Sequence, residues 1–148
     1  MIKTYEIAGK FEHEANAASL LYAPPAKPLM FRKTMRYLFD YEGDESALDA
    51  FVSKVLVDAI SQEEHHDGAP LWPNANLILD YGMKGGALDL EKEAILSYYR
   101  TLSQPAFTLK KLTLKTRLYV FGEGAEPSIF VRDIVNPAIH THEVLKAA

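Results

Sequence analysis

The chain has 148 residues, 48% of them hydrophobic and 24% charged, with a formal net charge of −4. That length fits one domain that can bury a core without disulfides or metals, and the charge argues against indiscriminate binding to nucleic acid or anionic membrane. Cysteine is absent, which excludes disulfides, thiol nucleophiles and thiolate zinc sites.

The N-terminus, Met1 to Glu6, has no apolar signal core, and no run approaches the roughly 20 apolar residues of a membrane helix. The expectation is a single cytoplasmic domain over 1–148, without a membrane partner.

Thr4 to His13 alternates, with Tyr5, Ile7 and Phe11 on one face, which predicts a half-buried strand. Glu14 to Lys27 has room for one or two helical turns before Pro24, Pro25 and Pro28 forbid regular helix. Leu29 to Tyr41 is a second strand with Phe31, Met35, Tyr37, Phe39 and Tyr41 on one face. Lys33 shares that phase and must escape to solvent or pair with an acid such as Glu6 or Glu45. Arg32, Thr34 and Arg36 take the other face.

After the turn Glu42-Gly43-Asp44, Asp44 caps a helix. Its apolar stripe of Leu48, Phe51, Val52, Val55, Leu56 and Ile60 carries the helix to Gln62–His66. Leu71 to Asn76 is a loop holding the only tryptophan. Leu77 to Met83 is a short strand. Gly82, Gly85 and Gly86 form a flexible turn, and Asp89 caps a second helix that buries Leu88, Ile95, Tyr99 and Leu102.

Phe107 to Phe121 is a long strand. Its apolar phase changes between Leu109 and Leu112, which predicts a bulge near Lys110-Lys111. Ser128 to Val135 reads as a last strand, and Asn136-Pro137 as the start of a short terminal helix to Lys146. The order β-β-α-β-α-β-β plus a short helix, with alternating strands, predicts an α+β two-layer sandwich. Its sheet is largely antiparallel, of about five strands, with two amphipathic helices on one face.

Charge is unevenly placed. Lys27 to Phe39 and Phe107 to Phe121 together hold half of the chain's 16 Lys and Arg and no acid. Asp40 to Asp67 holds nine carboxylates against Lys54 alone. Arg32, Arg36, Lys111, Lys115 and Arg117, with Tyr119, would form a basic open sheet face. Such a face is ordinarily just solvated. It also suits a protein partner, a second copy of the chain, or single-stranded nucleic acid through phosphate pairing and base stacking.

The segment from Asp80 to Asp89 resembles a phosphate-binding turn in its ingredients: a strand, a Gly-rich loop with Lys84, Gly85 and Gly86, and a helix start. Its spacing matches neither the P-loop nor the dinucleotide fingerprint. Asp80 and Asp89 would oppose a phosphate, though either could act as acid, base or metal ligand. The simpler reading is a turn that needs positive φ, with Asp89 as a cap.

The paired histidines are the candidate metal ligands. His65-His66 falls at the expected end of the first long helix, where neighbouring side chains diverge. His140-Thr141-His142 has a spacing that brings both rings to one side of a strand, but sets them about 200° apart on a helix. With helix expected there, the motif loses its geometry.

No nucleophile motif occurs and no cofactor is implied. The composition and charge pattern point first to a non-catalytic interaction protein, a homo-oligomer or complex subunit. A nucleic-acid-binding module and a small enzyme or anionic-ligand binder at the Gly82–Asp89 turn are the alternatives.

Overall fold

The computed structural model describes residues 1–147. The chain is an α+β fold with one antiparallel sheet of seven strands and three helices. In chain order these are β1 (Ile2–Gly9), β2 (Ala15–Asn16), a 3₁₀ turn (Ala17–Leu20), β3 (Met30–Gly43), α1 (Glu45–Val55), β4 (Gln62–His66), β5 (Leu77–Met83), α2 (Leu90–Arg100), β6 (Phe107–Phe121), α3 (Pro127–Ile134) and β7 (His140–Ala147). The strand order is β4-β1-β3-β6-β5-β7, with β2 paired to β3. Among the described residues no helix is long and apolar enough to cross a membrane. The fold gathers into two compact units, one of Met1–Phe11, Met35–Asp67 and Leu88–Leu114, the other of Glu12–Thr34, Gly68–Ala87 and the chain from Lys115 on.

In the first unit, Tyr5 and Ile7 of β1, Tyr37, Phe39 and Tyr41 of β3, and Leu112 and Leu114 of β6 form the buried sheet face. Leu48, Phe51 and Val52 of α1 and Ile95 of α2 close over it. Asp44 and Asp89 cap these helices as expected, their carboxylates accepting from the amides of Ser46 and Lys92. Phe107 and Leu112 share this core although they differ in phase. The alternation therefore slips across Lys110 and Lys111, both exposed, where the sequence predicts a bulge. Gly43 has φ of +110°, and a Cβ there would lie 2.6 Å from the Ala106 carbonyl oxygen, so both conformation and space demand glycine.

Several boundaries depart from expectation. The first helix stops at Val55, and Ile60, expected in the core, is 80% exposed. The cause is Asp58, whose carboxylate accepts from the Ile60 amide and whose carbonyl accepts from Ser61 and Gln62. That turn throws the chain back as β4, a strand the helical reading absorbed. Phe11 and Leu88 are also exposed rather than buried.

In the second unit, Leu77 and Leu79 of β5 and Leu118 and Val120 of β6 pack with Leu29, Ala17 and Phe130 of α3. Lys33 escapes to solvent, its ammonium 5.9 Å from the Phe31 ring. The end of the chain reverses the expected order: Ser128–Val135 lies in a helix and its turn, and residues 140–147 form a strand. Pro127 at the first helical position suits its fixed φ to the helix start. Asn136-Pro137 builds only a single closed turn, in which the Asn136 carbonyl accepts from the Ile139 and His140 amides.

Candidate functional site

The reversal at the end of the chain changes the geometry of the H-x-H motif. As an edge strand against β5, β7 pairs His140 with Met83, Thr141 with Gly82, His142 with Tyr81 and Glu143 with Asp80. Alternation then sends His140 and His142 to one side of the sheet and Thr141 and Glu143 to the other. The H-x-H motif thus has the strand geometry that the helical expectation had denied it.

On the histidine side lies a cleft of about 440 Å³ lined by Lys84, Val131, Arg132, Val135, Pro137, His140 and His142. The Gly-rich turn brings Lys84 to it, and the Lys84 amide donates to the Ile139 carbonyl at 2.7 Å, tying that turn to the start of β7. Helix α3 supplies an apolar wall and Arg132. No carboxylate lines the cleft. Arg132 does pair with Asp133 at 2.7 Å, and the Arg132 hydrogen bond holds the Asp133 carboxyl below its usual range. Lys84 makes no ion pair or side-chain hydrogen bond among the described residues.

One hydrogen bond assigns the tautomer of neutral His140. Its Nδ1 accepts a hydrogen bond from the Asn136 amide at 3.0 Å, so the neutral ring carries its proton on Nε2. The ring also stands edge-on to Tyr81 at 5.6 Å between centroids. A metal-binding imidazole ordinarily donates from one nitrogen and ligates through the other. Here Nδ1 is occupied as an acceptor, so Nε2 must hold the proton and is a donor. A donor at Nε2 can pair with an acceptor in the cleft.

A smaller recess of about 320 Å³ is lined mainly by the other strand phase, Asp80, Gly82, Lys115, Thr141 and Glu143, with Tyr81 and His142 at its border, so that His142 touches both cavities. Asp80 is bidentate to its cross-strand neighbour Arg117, at 2.7 and 2.9 Å, and the two are 1% and 2% exposed.

Several residues of the expected basic face are engaged within the chain. Arg117 is consumed by Asp80. Tyr119 is buried, packed on Trp72 at 4.7 Å, with its hydroxyl accepting from the Leu71 amide. Arg32 lies 3.9 Å over the same Trp72 and donates to the Glu12 carbonyl. The loop from Gly68 to Asn76 therefore covers a surface that the alternation pattern alone leaves open. Arg36 sits opposite Glu6 in the β1–β3 ladder, Lys111 is exposed, and Lys115 borders the recess. Of the turn residues, Lys84 reaches the cleft and Asp80 the recess. Gly85 and Gly86 form the turn itself, with Gly86 at φ of +87°, and Asp89 is spent as a cap.

The other histidine pair does not converge. His65 and His66 stand on β4 opposite Glu6 and Tyr5, on alternate faces. His65 lies 3.3 Å from Glu63, and His66 lies 3.5 Å from Glu64 with its ring against Tyr5. Among the described residues no group of three His, Asp or Glu is placed to hold a metal ion.

Sequence reasoning missed Arg132, Pro137, Thr141 and Glu143. One signal could have found them: Pro127 is as good a helix start as Pro137, and it places β-structure after Asn136. Comparison with protein-family models, with curated proteins and with solved structures finds no match.

Proposed function

We propose that this protein binds a small anionic molecule with an apolar body in the cleft between the Gly-rich turn, α3 and the start of β7. The observation that carries this is the convergence of Lys84, unpaired among the described residues, with His140 and His142 on a cleft walled by Val131, Val135 and Pro137 with no lining carboxylate, where Arg132 also lies, ion-paired to Asp133. Cationic donors recognise an oxyanion by charge-assisted hydrogen bonds, and the apolar wall rewards a hydrocarbon or ring portion. The volume lies within the usual range for small-molecule sites. The readings as a nucleic-acid module or a basic docking face draw less support, because Arg117, Arg32 and Tyr119 are engaged within the chain.

Titration of ¹⁵N-labelled protein with phenyl phosphate, benzoate and benzyl alcohol tests the proposal. The two anions should shift the amides of Lys84, Arg132 and residues 140–142, and the neutral alcohol should bind weakly or not at all. Added salt should weaken anion binding. Lys84→Glu with Arg132→Glu should weaken it at least about tenfold, since each lost charge-assisted hydrogen bond is worth roughly 1.5–3 kcal/mol. Equal binding of the alcohol, or no binding of either anion, would overturn the reading.

A further inference from the structure

We infer that the smaller recess beside β5 and β7 is a second binding site, for a small zwitterion carrying a carboxylate and an ammonium group. The inference does not depend on the anion cleft being occupied: it rests on Asp80, Gly82, Lys115, Thr141 and Glu143, and the two sites share only His142 among their lining residues. Its central observation is Gly82. Glycine inside a strand costs stability and is used where the backbone needs positive φ or where something must approach the backbone closely. The described glycines with positive φ are Gly43, Gly68, Gly86, Gly122 and Gly124, so positive φ does not account for Gly82, which lines the recess. What its missing side chain provides is a floor.

Around that floor the charges are arranged by register. The adjoining pair Tyr81–Thr116 puts Lys115 beside Gly82 from β6, and Thr141 faces Gly82 from β7. Asp80 is locked and neutralised by Arg117, so it forms a rigid wall rather than a free charge. The free charges are Lys115 on one side and Glu143 on the other. Neither makes an ion pair or side-chain hydrogen bond among the described residues. Two opposite charges held on separate strands across an empty floor match a ligand with both signs. The Thr141 hydroxyl can accept from its ammonium or donate to its carboxylate. A simple anion would meet Glu143, and a simple amine would meet Lys115.

The test uses amide chemical shifts and calorimetry on the whole chain with 4-aminobutyrate and L-alanine as probes, and with butyrate and butylamine as single-charge controls. At least one zwitterion should give saturable shifts at Gly82, Lys115, Thr141 and Glu143. Butyrate and butylamine should bind at least about fivefold more weakly, each having lost one charge-assisted contact. Gly82→Ala should abolish binding by filling the floor. Because that variant alters a strand interior, Lys115→Ala and Glu143→Ala provide surface variants, each of which should reduce zwitterion binding while leaving phenyl phosphate binding in the anion cleft unchanged. No saturable shift with either zwitterion would overturn the inference. So would equal binding of butyrate or butylamine, or full binding by Lys115→Ala and Glu143→Ala.

Discussion

Lys3 is 6% exposed on β1 and reaches Asp49 of α1 at 2.7 Å and Glu45 at 2.8 Å. The buried Tyr5 hydroxyl donates to the same Asp49 carboxylate. Burial pushes the Asp49 carboxyl up, but the hydrogen bonds from Lys3 and Tyr5 outweigh it and hold the carboxyl below its ordinary 3.8. Burial likewise opposes the Lys3 charge, and the bonds to Asp49 and Glu45 overcome it and raise the ammonium above 10.5. Stability from Asp49 is therefore complete above 3.8 and is lost as pH falls through its depressed value, whereas that from Lys3 is complete below 10.5 and is lost as pH rises through its raised value. Asp49→Asn should lower stability at pH 7 by about 1–3 kcal/mol. In urea titrations from pH 5 down to pH 2, it should lose less stability than the parent. The Asp80–Arg117 pair behaves differently because both partners are sealed. Arg117→Met strands a buried carboxylate and should cost about 3–5 kcal/mol, while Asp80→Leu added to it should restore most of the loss. Urea unfolding of the single and double variants measures both.

At the scale of the element, α1 shows what periodicity can and cannot reveal. Its stripe was legible as far as Leu56 because 3.6-residue spacing is a local property. The stripe overran to Ile60 because apolar spacing carries no information about the Asp58 turn. Phe51→Ala should cost about 3–5 kcal/mol through lost transfer energy and a cavity, and Ile60→Ala should stay within about 0.5 kcal/mol of neutral. Thermal or urea unfolding of the two variants separates them. The exchange of α3 and β7 has another cause. Ile129, Val131, Ile134 and Val135 are β-branched and favour strand by propensity, yet Phe130, Val131 and Ile134 also fit one helical face, and Pro127 sets the start. The same misreading hid the histidine cleft, since His140 and His142 share a side only on a strand.

For the molecule as a whole, segregated charge was plain in the sequence and its destination was not. Whether Arg117 meets solvent or Asp80 depends on the register of β5 against β6, a long-range property that no local window encodes. The covering of Tyr119 by Trp72 depends on a loop folding back on the sheet, which alternation cannot signal. The same topology grades local stability. β5 is paired on both sides and buried from Leu77 to Asp80, whereas β7 is exposed from Thr141 on and forms one end of the strand order. Native-state amide exchange should therefore find β5 among the slowest segments and the outward-facing amides of β7 among the fastest. Equal protection of the two strands in dilute solution would show that something covers the outer edge of β7.

The β5–β7 ladder steps from Ile78–Lys146 to Leu79–Val144, so Leu145 has no partner in it. A residue left over in this way bends and twists the strand that carries it. A growing fibril needs a flat, evenly spaced template onto which each newcomer docks like the last. The surplus Leu145 denies it one, although Val144 and Leu145 are themselves apolar and partly exposed. Its loss would straighten the rim and remove that safeguard. A chain with Leu145 deleted should accumulate thioflavin-binding aggregates on agitation at concentrations where the parent stays clear, as turbidity and thioflavin fluorescence would record.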